Sequence, residues 1–153
     1  MNLRKANADD INLLIKIRLD SLKARRGVLT PDKEQAICRQ LQEYFSKNIT
    51  NGQCIAMIAE IDDELACAAC LVISERPAST SFITGKIGTL MSLYTYPQYR
   101  RRGLATKVVA SLIQEARQAR LPLIDLLATK EGKPLYEKMG FIIPNYTPMR
   151  MML

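Results

Sequence analysis

Apolar positions along the chain follow two rhythms. Ile11, Leu14, Ile15, Leu19 and Leu22 recur three and four apart, with Arg18 on the same stripe and Lys16, Asp20 and Lys23 turned elsewhere. That spacing predicts an amphipathic helix ended by Gly27. Before it, Leu3, Arg4 and Lys5 form a short first strand, and Asn7-Ala8-Asp9-Asp10 supplies side-chain oxygens that can cap the helix. Thr30-Pro31-Asp32 opens a second helix through about Phe45, with Thr30 as N-cap and Pro31 at the first helical position.

The pattern then changes period. Cys54 to Ile61 and Leu65 to Ile73 are apolar runs joined through Asp62-Asp63, which together predict an antiparallel hairpin. A polar loop through Pro77 and Ser81 leads to a fourth strand, Ile87 to Tyr96, stopped at Pro97, which has no N–H to donate. Helical spacing returns at Leu104, Val108, Val109, Leu112, Ile113 and Ala116, and ends before Leu121-Pro122. Leu123 to Ala128 follows as an apolar fifth strand interrupted only by Asp125, so strand, helix and strand form a βαβ unit with parallel strands and a right-handed crossover. Lys133 to Met139 is a short helix closed by Gly140. Phe141-Ile142-Ile143, the turn-rich Pro144 to Pro148 and the apolar Met149 to Leu153 are expected to end the chain as a hairpin. The class is α/β, and 153 residues without repeat or linker are expected to form one domain, 1–153.

Composition changes this picture in three ways. Twenty-two Lys and Arg against 15 Asp and Glu give +7, which suits an anionic partner: a phosphorylated cofactor, a nucleic acid or an acidic lipid. Histidine is absent, which removes Ser-His-Asp and Cys-His catalysis and the usual imidazole base. Cys67 and Cys70 form a CxxC, but in a strand these positions point to opposite faces, and neither a second CxxC nor a His completes a ligand set. With Cys38 and Cys54 they are expected to be reduced, structural thiols, and no metal is expected. No apolar run is long enough for a membrane-spanning helix and the start lacks a secretory pattern, so the expected location is the cytoplasm, without membrane contact.

The candidate chemistry lies between the fourth strand and its helix, in Pro97-Gln98-Tyr99-Arg100-Arg101-Arg102-Gly103-Leu104-Ala105-Thr106. This junction presents the unpaired N–H groups and positive dipole end of a helix beyond the strand's carboxyl edge. Gly103 and Ala105 let an anion approach the backbone, and the arginines add charge, so the turn can cradle a pyrophosphate. It is neither a GxxxxGK[ST] loop nor a GxGxxG fingerprint. Taken alone, Arg100, Arg101 and Arg102 also read as a solvated basic turn or part of a nucleic-acid patch.

Arg100-x-x-Gly103-x-Ala105 after Tyr94-Thr95-Tyr96-Pro97 resembles the Q/R-x-x-G-x-G/A acetyl-CoA motif of the GCN5-related N-acetyltransferases (GNAT). Some 30 residues on, Leu135-Tyr136-Glu137-Lys138-Met139-Gly140-Phe141 resembles that family's LYEKLGF segment, and the order of elements agrees over essentially the whole chain. The resemblance implies a mixed, mostly antiparallel sheet whose central parallel pair, strands four and five, splays to bind CoA between flanking helices. It implies acetyl-CoA as co-substrate, with the pantetheine arm against Leu93, Tyr94 and Thr95. Backbone N–H groups of Arg101, Arg102, Gly103, Leu104, Ala105 and Thr106 would take the pyrophosphate, with Arg100 and its neighbours near the phosphates. Tyr136 matches the position that protonates the departing thiolate; read without the resemblance, it is equally a core aromatic. Thr129 stands where many relatives place an Asn that contacts the cofactor.

The implied reaction is direct attack of an amine, from a small molecule or a peptide, on the thioester within a ternary complex. An amine of pKa near 10 is only about one part in a thousand neutral at pH 7, so a base or water chain is needed. Strand four offers Ser92 and Thr95 where relatives often carry Glu; Glu60, Glu75 and Asp125 are candidate carboxylates. The acceptor is implied to enter between the first two helices and the terminal hairpin, near Lys23 to Thr30 and Pro144 to Pro148, where Arg25 and Arg26 suit a carboxylate or phosphate. Two alternatives remain at this point. One is a CoA-binding regulatory module without turnover; the other is an acetyltransferase acting on an RNA-linked amine, suggested by +7 but lacking an aromatic-rich binding face. The apolar terminus, with an otherwise unpaired edge, predicts a homodimer.

Overall fold

The computed structural model describes residues 1–153. Five strands lie in chain order across one sheet: β1 (Asn2–Lys5), β2 (Cys54–Ile61), β3 (Glu64–Glu75), β4 (Lys86–Thr95) and β5 (Ile124–Asp125). The first three pairings are antiparallel and β4–β5 is parallel, as a βαβ crossover through α3 (Leu104–Gln118) requires. The β2–β3 hairpin turns on Asp62 and Asp63, both left-handed at φ 51° and 62°, the backbone of a two-residue turn that matches strand twist.

Side-chain alternation divides the core. Cys54, Ala56, Ile58, Ala68 and Cys70 face α1 (Ile11–Arg26) and α2 (Pro31–Thr50), where they meet Leu14, Ile17, Leu41 and Phe45. Met57, Ala59, Cys67, Ala69 and Leu71 face α3, where they meet Leu104, Val108, Val109 and Leu112, with Tyr136 of α4 (Lys133–Lys138) at the margin. Cys67 and Cys70 thus sit on opposite faces of the sheet, and all four cysteines are free. Arg4 ties β1 to the rest by donating to Asp10 at 2.8 Å and Glu60 at 2.9 Å, while Asn7 and Asp10 close a capping box ahead of α1. The Arg4 guanidinium holds the Asp10 carboxyl below its usual range.

Three expected elements differ. α2 runs on to Thr50 rather than ending near Phe45, because Tyr44 and Ile49 still pack on the sheet and Asn51 supplies the cap. The fifth strand pairs over Ile124–Asp125 only, not Leu123 to Ala128, because the chain turns away from β4 after Asp125. The terminal hairpin is absent: residues 142–153 make no backbone hydrogen bond and form no strand. Pro144 and Pro148 lack donors, and β5 is too short to template a partner. Ile142, Ile143, Tyr146, Met149, Met151, Met152 and Leu153 are consequently exposed. No helix is long and apolar enough to cross a membrane.

Burial pushes the Cys67 thiol up to about 11. Its folded pKa lies above the unfolded value, so the stability it contributes is complete below about pH 9 and lost as pH rises through 11. Denaturant midpoints measured between pH 8 and 10.5 should fall. About 2 kcal/mol of that fall should disappear in Cys67→Ala, and an equal pH slope in both proteins would rule out this thiol as its source.

Candidate active site

Everything at the site follows from where β4 loses its parallel neighbour. Pairing holds at Gly88↔Ile124 and Thr89↔Asp125 and then ceases, so from Leu90 onward β4 has no strand partner on its β5 side. Gly88 is needed at the join: a Cβ there would come within 2.8 Å of Leu71 Cδ1 and 3.1 Å of Leu121 Cδ1. On its other edge β4 slips register against β3 between Cys70↔Met91 and Ala68↔Tyr94, and Ser92 takes φ 60°. This bulge bends the strand away from β5.

The wedge contains a cavity of about 100 Å³ lined by Arg25, Leu90, Met91, Ser92, Leu93, Leu127, Thr129, Gly132 and Tyr136. Tyr136 is 8% exposed, its ring edge-on to Phe141 at 5.7 Å, yet its hydroxyl has no hydrogen-bond partner in the protein. The ring is buried while the hydroxyl itself stays accessible, so it is a free donor at the cavity wall. Burial raises its pKa above the ordinary 10, with nearby Arg25 pulling it back, and the phenol is protonated at neutral pH.

At the C-terminal end of β4, Tyr96 leads into a 3₁₀ turn at Pro97–Tyr99 and then into α3, whose N-cap Gly103 is left-handed at φ 73°. The first bond of α3 is Lys107 N–H to the Gly103 carbonyl at 3.1 Å. The six N–H groups of Arg101, Arg102, Gly103, Leu104, Ala105 and Thr106 donate to no protein acceptor. They form a row of spare donors at a helix N-terminus. Arg100 donates from Nε to the Thr95 carbonyl at 3.0 Å and lies over the Tyr94 ring, and Arg102 lies over Tyr99, so two of the three arginines are braced by aromatic faces beside the row.

The remaining residues singled out from the sequence are distributed unevenly. Leu93 lines the wedge, but its carbonyl is taken by Arg25 Nη2 at 3.2 Å. Thr95 donates from its hydroxyl to Cys67 Sγ at 3.1 Å. Thr129 lines the cavity and also holds the turn into α4, accepting from Gly132 N–H at 3.1 Å on Oγ1 and from Lys133 N–H at 2.9 Å on its carbonyl. None of the three candidate carboxylates reaches the cavity. Glu60 is bound to Arg4 and Asn2, Asp125 accepts from Thr89 at 2.8 Å and faces Arg76, and Glu75 ends β3 against Lys86 across the sheet. Tyr96 is held by Asp20 at 2.6 Å and Lys16 at 3.0 Å on the α1 side. Sequence reasoning missed the Ser92 bulge and the reach of Arg25 across to Leu93, and it did not name Met91, Leu127 or Gly132 as wall residues. No cluster of His, Cys, Asp and Glu is placed to hold a metal ion.

A splayed parallel pair with spare helix N-terminal donors at its carboxyl end defines an acyl-CoA-type transferase site. Comparison with known proteins makes this specific. The family model for the acetyltransferase (GNAT) family matches residues 21–141. A crystal structure of a predicted acetyltransferase with acetyl-CoA from Clostridium acetobutylicum superposes with TM-score 0.86 at 30% identity, over 97% of this chain and 95% of that one. A GCN5-related N-acetyltransferase from Ralstonia eutropha superposes with TM-score 0.84 at 20% identity, over 98% and 97%. An uncharacterized N-acetyltransferase of Archaeoglobus fulgidus is 23% identical over 116 residues, 76% of this chain and 74% of the relative. The chain belongs to the GNAT family and is an acetyl-CoA-dependent N-acetyltransferase.

A Cβ at Gly103 would meet no atom of the protein, so only its positive φ and the space before the amide row constrain it. Gly103→Asn, which tolerates a left-handed backbone, should leave acetyl-CoA affinity near wild type. Gly103→Val combines strain with a branched side chain beside the donors and should weaken binding at least tenfold by calorimetry. An unchanged affinity in folded Gly103→Val would remove this turn from the cofactor site.

Proposed function

We propose that residues 1–153 form a single acetyltransferase domain that transfers the acetyl group of acetyl-CoA to the amine of a small molecule or peptide within a ternary complex. In this reading the pantetheine arm lies in the wedge along Leu93, Tyr94 and Thr95. The N–H groups of Arg101 to Thr106 take the pyrophosphate, with Arg100, Arg101 and Arg102 supplying charge and Thr129 bordering the arm. The observation that carries it is the unpartnered Tyr136 hydroxyl on the wall of the cavity where β4 and β5 part.

The chemistry balances with few protein groups. The neutral amine nitrogen attacks the thioester carbonyl, the carbon–sulfur bond breaks, and Tyr136 gives its proton to the thiolate. The products are the acetamide and free CoA thiol. The amine's proton leaves to water, since no carboxylate lines the cavity and Ser92 is the one β4 hydroxyl there. Solvent then returns a proton to Tyr136.

Tyr136→Phe keeps the ring packed against Phe141 and removes only the hydroxyl. General acid catalysis is worth roughly 10² to 10⁴, and a thiol of pKa near 8.5 is already a fair leaving group, so the loss should fall near 10². It should appear in kcat and in the single-turnover rate, with acetyl-CoA affinity retained. An unchanged single-turnover rate in the folded variant makes Tyr136 a packing residue.

The same reading includes a homodimer. Residues 142–153 carry seven exposed large apolar side chains, and packing of this segment between two copies would cover them. Light scattering at tens of micromolar should report twice the monomer mass, and removal of residues 142–153 should return it to monomer. Monomer at both lengths would refute this assembly.

A further inference from the structure

The C-terminal half of α1 concentrates positive charge that nothing in the protein neutralises. Arg18 and Arg25 are seven residues apart, two helical turns, and therefore share a face; Arg26 follows directly. None of the three belongs to any of the chain's ion pairs, whereas the neighbouring Lys16 and Lys23 are matched to Asp20 and Glu34. The last-turn position of Arg25 and Arg26 has an ordinary cause, since cations are favoured at a helix C-terminus.

Arg18 has no such cause. It stands two turns upstream and is partly buried, and its guanidinium makes no hydrogen bond or ion pair in the protein. Desolvation and the adjacent Arg25 and Arg26 both press its pKa down. A guanidinium presents five donors and is costly to desolvate without an acceptor. Between the two arginines, Ser21 is fully buried and its hydroxyl is the only buried side-chain polar atom in the chain without a partner. Two independent polar shortages thus fall on one stripe of one helix. That stripe ends at the cavity, where Arg25 is the only charged wall residue and reaches the Leu93 carbonyl.

We propose that Arg18 and Arg25, aided by Arg26, seat an anionic group on the acceptor, so that the amine acetylated by this protein carries a carboxylate or a phosphate. The inference rests on the acetyltransferase reading and deepens it. Arg25 is the movable member: its contact to Leu93 is a single exposed bond, which an entering anion can replace by a charge-assisted pair. The anion held there sets the distance of the amine from the thioester, and neutral amines lack that anchor.

Two measurements test it. In the first, protein saturated with CoA, so that the Arg101 to Thr106 donors are occupied, is titrated at low ionic strength with inorganic phosphate and, separately, with acetate. Binding should be detectable by calorimetry in wild type and at least tenfold weaker in the Arg18→Gln/Arg25→Gln protein, while Arg18→Lys retains part of it. Equal binding in wild type and the double variant overturns the proposal. In the second, thiol release is followed for matched acceptors: glycine against glycinamide, and phosphoethanolamine against ethanolamine. Removing the carboxylate of glycine lowers the pKa of its amine, so intrinsic reactivity favours the amide, and a preference for the acid must come from the protein. The anionic member should win through KM, with the preference reduced at least tenfold in Arg18→Gln while acetyl-CoA affinity is unchanged. Preference for the neutral member in both pairs overturns the proposal, and the better pair distinguishes carboxylate from phosphate. Wild-type protein that binds no CoA would instead refute the acetyltransferase reading, and the comparison of phosphate binding in wild type and double variant still decides the anion seat. Removing a charge that lacks a partner should also leave the melting temperature of Arg18→Gln equal to or above wild type; a fall restored by Arg18→Met would assign Arg18 to packing.

Discussion

The shortness of the β4–β5 pairing is the constraint on which the rest depends. Two residues of parallel ladder fix α3 and α4 relative to the sheet, and the divergence that follows opens a wedge that side chains only partly fill. Had the pairing continued, the backbone groups of β4 would be spent on β5, and Tyr136 would face a closed core. The divergence has local causes: Gly88 permits tight packing of Leu71, Leu121 and Ile124 at the join, and the left-handed Ser92 turns β4 aside three residues after the last paired one. Such strain in a non-glycine residue persists only where surrounding structure holds it, and here long β3 pairing flanks the bulge on both sides.

Much of this was legible in the residues. Apolar spacing located α1 to its closing glycine, and Asp62-Asp63 located the hairpin, because both signals are local and their backbone demands are met only by a few residue types. The Arg-Gly-Ala turn and the Leu-Tyr-Glu-Lys segment were visible for the same reason. What was not legible depends on contacts between distant segments. Serine carries no signal for a left-handed bulge. Asp125, read as a candidate base, is drawn to Thr89 and Arg76 by a parallel register that sequence does not reveal. The apolar terminus has strand composition, yet composition cannot form a strand without an edge long enough to pair it.

The thiols and tyrosines illustrate how one residue type divides by environment. Cys67 is shut in the α3-side core with its pKa raised by burial, whereas Tyr136, at the margin of that same core, keeps its hydroxyl at the cavity. Tyr96 and Tyr99, close in sequence to the turn that opens α3, are tied to Asp20 and Glu64. Of these three hydroxyls only that of Tyr136 is left unbonded by the fold, which is why the proposed acid role falls to it and not to its bonded neighbours.

The charge distribution also bears on how an enzyme without histidine deprotonates an ammonium. A carboxylate base would accept the proton but would first stabilise the charged amine and raise its pKa. The cavity has the opposite character: its one charged wall residue is Arg25, with Arg26 beside it and no acid in the lining. A cation near the amine disfavours the ammonium form, lowers its pKa and enlarges the neutral fraction that can attack, while water carries the proton away. An anionic substituent on the acceptor and a basic amine then make complementary demands on the same field. On the proposed anion seat the arginines would attract the first and disfavour the charged form of the second, so one cluster on α1 would orient the acceptor and lessen the need for a base that β4 does not provide, with water taking the proton.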